Sequence, residues 1–123
     1  MAVELFSNYR ALDVSLQLWP VTSERLIGEP PPVMTGRVMW RSESGRAASG
    51  VWTCTPGTVQ GEFLTDEVSV ILAGRMTITA EGRTVEVKAG DVITMRKGLE
   101  VEWVIHEQVT KAWNVSSPDP LPF

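Results

Sequence analysis

From Val33 to Val115 the chain repeats one pattern: a short run of apolar or alternating residues, then a turn cluster. Arg75 to Ala80 places Met76, Ile78 and Ala80 on one face, the period-two spacing of a strand with one buried side. Glu81-Gly82 follows as a two-residue hairpin signal, and Thr84 to Val87 returns with Val85 and Val87 on one face. Glu100 to Ile105 sets Val101, Trp103 and Ile105 against Glu100, Glu102 and Val104. The same reading predicts strands over Gly36–Trp40, Ala48–Thr55, Thr58–Leu64, Glu67–Ala73, Val92–Met95 and Val109–Val115. Between them lie the turn signals Ser42-Glu43-Ser44-Gly45, Pro56-Gly57, Gly74, Lys88-Ala89-Gly90-Asp91 and Lys97-Gly98. No segment carries a helical period over ten or more residues with caps at both ends. Only Ser23-Glu24-Arg25-Leu26 suits a helical turn. Many short strands of even spacing predict an all-β sandwich or barrel.

Residues 1 to 32 differ in character. Ala11 to Trp19 alternates for part of its length, which suits a short strand ended by Pro20. Gly28-Glu29-Pro30-Pro31-Pro32 excludes helix and central strand, because proline lacks the N–H and fixes φ. Leu16, Leu18, Trp19 and Ile27 give the segment too much apolar surface for a free tail. It is therefore read as an N-terminal arm (1–32) that packs on a barrel (33–123) or on a partner subunit.

Composition narrows the function classes. With 123 residues, one domain is the natural expectation. The formal net charge of -4 and the lack of a basic stripe argue against nucleic acid. No apolar run approaches the ~20 residues of a membrane span. Met1 to Phe6 has no basic region followed by an apolar stretch, so it does not read as a signal peptide. Cys54 is the single cysteine, which rules out an intrachain disulfide and a cysteine-based zinc site. Together these point to the cytoplasm.

The turn-and-strand order resembles a known family. Gly50-Val51-Trp52-Thr53-Cys54-Thr55-Pro56-Gly57 is similar to the strand and turn that open the barrel in one branch of the cupins. That branch includes ureidoglycine aminohydrolase and the EutQ proteins. Asp66 to Gly74 resembles its acidic-Glu motif. Lys88 to Val92 and Lys97 to Trp103 resemble its second motif, and Val109-Thr110-Lys111-Ala112-Trp113 its closing strand, where a basic residue and an aromatic are frequent. The resemblance spans about residues 33 to 115. It implies a double-stranded β-helix with a pocket between two sheets, and a homodimer.

The resemblance also implies a site. Glu67 sits seven before Gly74, in register with the family's ligand Glu, and Gln60 and Glu62 fall where two histidines would stand. Val101 takes the fourth ligand position, and Trp103, two residues on, would line the same cavity. Gln60, Glu62 and Glu67 offer oxygen donors only, which would suit Mn²⁺ or Mg²⁺ and hold a transition metal weakly. Without a metal, Glu62 and Glu67 in one desolvated pocket resist joint ionisation, which makes them catalytic acid/base candidates. The structural alternative leaves Glu62 solvated and Glu67 held by hydrogen bonds. His106 reads as a surface residue in a polar turn, and Cys54 as a small buried hydrophobe. The expected function is binding of a small polar molecule by a cupin with a degenerate metal site. The alternatives are a metal-dependent hydrolase or isomerase of a nitrogenous metabolite, and a non-catalytic dimerising module.

Overall fold

The computed structural model describes residues 7–123. The Met1–Phe6 segment, read above as lacking a leader pattern, lies outside them. The described chain opens with a short 3-10 turn at Ala11–Asp13. Strands follow at Gln17–Leu18 (β1), Arg25–Ile27 (β2), Met34–Arg41 (β3), Ala47–Cys54 (β4) and Gly57–Glu62 (β5). Asp66–Ala80 (β6), Arg83–Lys88 (β7), Val92–Met95 (β8) and Glu100–Ser116 (β9) complete the order. Among the described residues no helix is long and apolar enough to cross a membrane.

Two long strands, β6 and β9, organise everything else. They pair antiparallel along most of their length, from Asp66↔Ser116 to Thr79↔Glu102. The N-terminal half of β6 also pairs with β8, and its C-terminal half with β7. The C-terminal half of β9 pairs with β4, and its N-terminal half with β5. One sheet therefore runs β1-β3-β4-β9-β6-β8 and the other β2-β5-β9-β6-β7, joined through the bent middle of the long pair. The two sheets curl into a double-stranded β-helix, a jelly-roll-like barrel.

The sequence pattern expected breaks at Gly74 and at His106-Glu107-Gln108. The chain instead continues through both as bent strand. The register slips between Ile71 and Met76, and Gly74 adopts φ +88°, where a side chain is strained. A Cβ at Gly74 would also stand 2.1 Å from the Gln108 carbonyl oxygen. A glycine there lets the long strands cross closely while each changes sheet.

The inner face follows the alternation. Ile71, Met76 and Ile78 from β6 meet Val101, Ile105, Val109, Trp113 and Val115 from β9, all buried. Trp52, Cys54 and Val59 close the core from β4 and β5. The arm lies on this barrel: β1 pairs with β3 and β2 with β5. The helical turn expected at Ser23–Leu26 does not form: Ser23 is a bend, and Arg25 to Ile27 pairs as strand with the free edge of β5. The strand expected from Ala11 shrinks to Gln17–Leu18. Trp19 lies edge-on to Trp113 at 5.7 Å and to Phe123 at 5.9 Å. It lies over Gly36, whose Cβ would stand 2.6 Å from the indole. The C-terminal tail is fastened by Leu121 N–H to the Gly45 carbonyl and by Arg41 to the Phe123 carbonyl.

Candidate functional site

One inward position of β9 carries a charge. Val109, Lys111, Trp113 and Val115 share the inner face, so Lys111 is directed into the barrel by the same alternation that buries its neighbours. Its residue is 7% exposed. The Lys111 Nζ donates to Glu67 Oε2 at 2.6 Å. Glu67 lies on the same inner face of β6, opposite Val115 and two residues before buried Ser69, whose hydroxyl donates to the same Oε2 at 2.6 Å. The ammonium lies 4.7 Å from the ring centre of Trp52 and 5.1 Å from that of Trp103. An ammonium over an indole face is attracted by the ring quadrupole, more so when desolvated. Phe63 abuts Trp103 edge-on at 5.4 Å and extends the aromatic wall. The indole Nε1 of Trp103 is buried and has no hydrogen-bond partner.

Cys54 belongs to the same interior. Burial pushes its thiol up to about 11, while the positive charge of Lys111 pulls the other way. The Sγ donates weakly to the Thr55 carbonyl at 3.4 Å. At neutral pH this is a protonated, packed thiol.

Glu67 opens onto a cleft of about 1080 Å³ between the ends of β4, β6, β8 and β9. Its walls include Ala48, Met95, Leu99, Asn114 and Val115, with Arg96 at its rim. A second hollow of about 630 Å³ lies between β7 and β8, with Ile78, Val87 and Ile93 in its lining. The two share Glu81, Thr94, Met95 and Leu99.

The structure divides the expected site residues into two groups. Glu67, Val101 and Trp103 face the interior, Val101 6% exposed. Gln60 and Glu62 lie on the opposite face of the sheet. Across the β5–β9 ladder Val59 stands opposite Trp103 and Gly61 opposite Val101, while Gln60 faces Glu102 and Glu62 faces Glu100. Directly opposed residues share a face. The core side of β5 is thus Val59 and Gly61, and Gln60 and Glu62 point outward. Gln60 Nε2 donates to Glu102 Oε2 at 2.7 Å on that outer face, and Glu62 is exposed.

The three oxygen donors expected around a cation are therefore not gathered into one coordination sphere. Among the described residues no group of three His, Cys, Asp or Glu side chains is placed to hold a metal ion. Glu67 Oε2 already accepts from both Lys111 and Ser69, and an ammonium is the nearest charge to it. That donor set does not fit Mn²⁺ or Mg²⁺. Glu62 and Glu67 likewise do not share a pocket, so they form no acid/base pair with each other.

Sequence reasoning passed over Lys111 as a site residue. The signal was present: a lone charge at an inward phase, between Val109 and Trp113, in a strand otherwise apolar on that side. His106, expected in a turn, is an exposed strand residue whose Nε2 lies 2.7 Å from the Thr77 hydroxyl, itself donating to Glu86.

The curled two-sheet barrel, a double-stranded β-helix built on β6 and β9, is the fold of a cupin. The family of EutQ-like cupin domains matches residues 41–113, and the chain belongs to it. Solved structures agree on the fold. The EutQ protein of Clostridium difficile is 20% identical, with 72% of this chain and 71% of that one covered and a TM-score of 0.63. The cupin domain of Schizosaccharomyces pombe Cnp3 is 16% identical over 89% of this chain and 73% of that one, with a TM-score of 0.67. A Pseudomonas syringae protein of unknown function is 21% identical, with a TM-score of 0.72; the match covers 85% of this chain and 45% of that one. No curated protein matches the chain.

Proposed function

We propose that this cupin binds a small polar molecule at the Lys111–Glu67 pair, approached through Glu67, the member of the pair that lines the cleft. The observation that carries the reading is the pair itself. A buried ion pair adds little stability compared with apolar residues of similar size, because both charges must leave water. Its place in a wall of indoles, beside an open cleft, supports a binding role. Lys111 would meet an acceptor or anionic group of the ligand, and Glu67 a donor. Trp103 Nε1 offers a second, unused donor. A cytoplasmic homodimer completes the reading, in keeping with the acidic chain, its lone cysteine and the family resemblance.

Thermal shift against a panel of small carboxylates, amides and amino acids tests it. A ligand at 100 times its Kd adds about 2.7 kcal/mol, which for a chain of this size raises Tm by roughly 10 °C. The double variant Lys111→Met/Glu67→Gln removes both charges without stranding either, and it should lose the response. The reading fails if no panel member raises Tm, or if the double variant responds like the native chain.

A further inference from the structure

The chain has three lysines, and their settings differ sharply. Lys88 and Lys97 are exposed. Lys111 is enclosed, 2.6 Å from a carboxylate oxygen, with an indole face on each of two sides. Its nitrogen is the amine of that interior in contact with a base; the Ser69 hydroxyl shares the same carboxylate oxygen, and the Cys54 thiol donates to a backbone carbonyl.

Three features of this cluster match the needs of imine formation. A carboxylate already hydrogen-bonded to the ammonium can take its proton and return it without diffusion. The faces of Trp52 and Trp103 favour a cation at the nitrogen, and an iminium keeps its positive charge there after a carbonyl compound has been captured. The buried, unpartnered Trp103 Nε1–H is a donor in want of an acceptor such as a carbonyl or carboxylate oxygen.

We propose that Lys111 condenses with a small aldehyde or ketone to form a protonated Schiff base. The inference rests on the binding reading above and narrows its ligand to a carbonyl compound. Glu67 takes one proton from the ammonium, freeing the lone pair. The amine nitrogen attacks the carbonyl carbon: the C–N bond forms and the carbonyl π pair moves to oxygen. A proton passes from nitrogen to that oxygen, giving a neutral carbinolamine. Glu67 then returns its proton to the hydroxyl, the C–O bond breaks, and water leaves. The nitrogen keeps one proton and its lone pair forms the C=N bond. Ammonium plus carbonyl compound has become iminium plus water, and Glu67 is again a carboxylate. No oxidant, reductant or metal is required.

Reductive trapping tests the step. The native chain is incubated near neutral pH with acetaldehyde, acetone or pyruvate in the presence of cyanoborohydride, and the adducts are mapped by peptide mass spectrometry. Lys111 should be labelled at least about 10-fold faster than Lys88 or Lys97, despite its burial. Glu67→Gln should slow labelling at Lys111 by about 100-fold, as expected for loss of general acid–base help. Lys111→Arg keeps the positive charge, removes the primary amine, and should leave only the slow surface labelling. Labelling confined to Lys88, Lys97 and the N-terminus overturns the proposal, as does an undiminished rate at Lys111 in Glu67→Gln. If a panel molecule without a carbonyl raises the native Tm but not that of the double variant, while Lys111 stays unlabelled, the binding reading stands and the imine proposal falls. If neither signal appears, both fall.

Discussion

Cys54 shows how one side chain reports its surroundings. Its residue is fully buried, and desolvation raises the thiol from 9.0 to about 11. Between those values the unfolded chain loses the thiol proton and the folded chain keeps it. Folding then binds a proton, so this residue's contribution to stability is intact below pH 9 and declines as pH rises towards 11. Urea midpoints measured across that window should fall faster for the native chain than for Cys54→Ala; parallel curves would refute the assignment. The thiolate fraction at pH 8 should be about 100-fold lower in the folded chain, and iodoacetamide should alkylate folded protein at least that much more slowly than urea-unfolded protein. The Lys111–Glu67 pair makes the complementary point. Lys111→Met alone strands a buried carboxylate and should cost about 3–5 kcal/mol, whereas the double variant with Glu67→Gln should recover most of it in urea unfolding. The inward phase of Val101 and Trp103 was legible in the alternation, and that of Glu67 came from the family resemblance. The phase of Gln60 and Glu62 was not legible, because Gly57 and Gly61 leave β5 with one apolar inward marker, Val59, and no clear period.

At the scale of elements, the long strands β6 and β9 matter most. Gly74 looked like punctuation between two strands, and it is a bend within one. The distinction is physical: a glycine at positive φ can end a strand or pivot it, and only the partner strand decides which. Here β9 runs past the bend and pairs on both sides of it. Gly74→Ala should therefore cost about 2–4 kcal/mol, the sum of an unfavourable φ and a collision with the Gln108 carbonyl. A midpoint within 0.5 kcal/mol of native, a value typical of neutral surface changes, would mean that the crossing is looser than described. The β6–β7 hairpin at Glu81-Gly82 was readable, because its turn type is set locally: both residues take positive φ.

For the whole molecule, the described arm and the barrel share one packed interior. Trp19 meets Trp113 and Phe123, and Leu26 joins the core cluster through β2. Unfolding followed by tryptophan fluorescence and by far-UV circular dichroism should coincide in one transition. Trp19→Ala should shift that whole transition by roughly 2 kcal/mol, about half the loss of a fully buried tryptophan. An early fluorescence phase with unchanged dichroism would instead make the arm an independent unit. The sequence by itself determined the all-β class, most of the strands and turns, and the family resemblance, since these follow from local alternation and turn chemistry. Tertiary structure decided which face of β5 looks inward and that the interior charge of Glu67 is answered by Lys111, 44 residues away. Those outcomes depend on which strands pair and in what register. A one-residue change of register turns every side chain to the other face, so a degenerate strand such as β5 cannot announce its own inside.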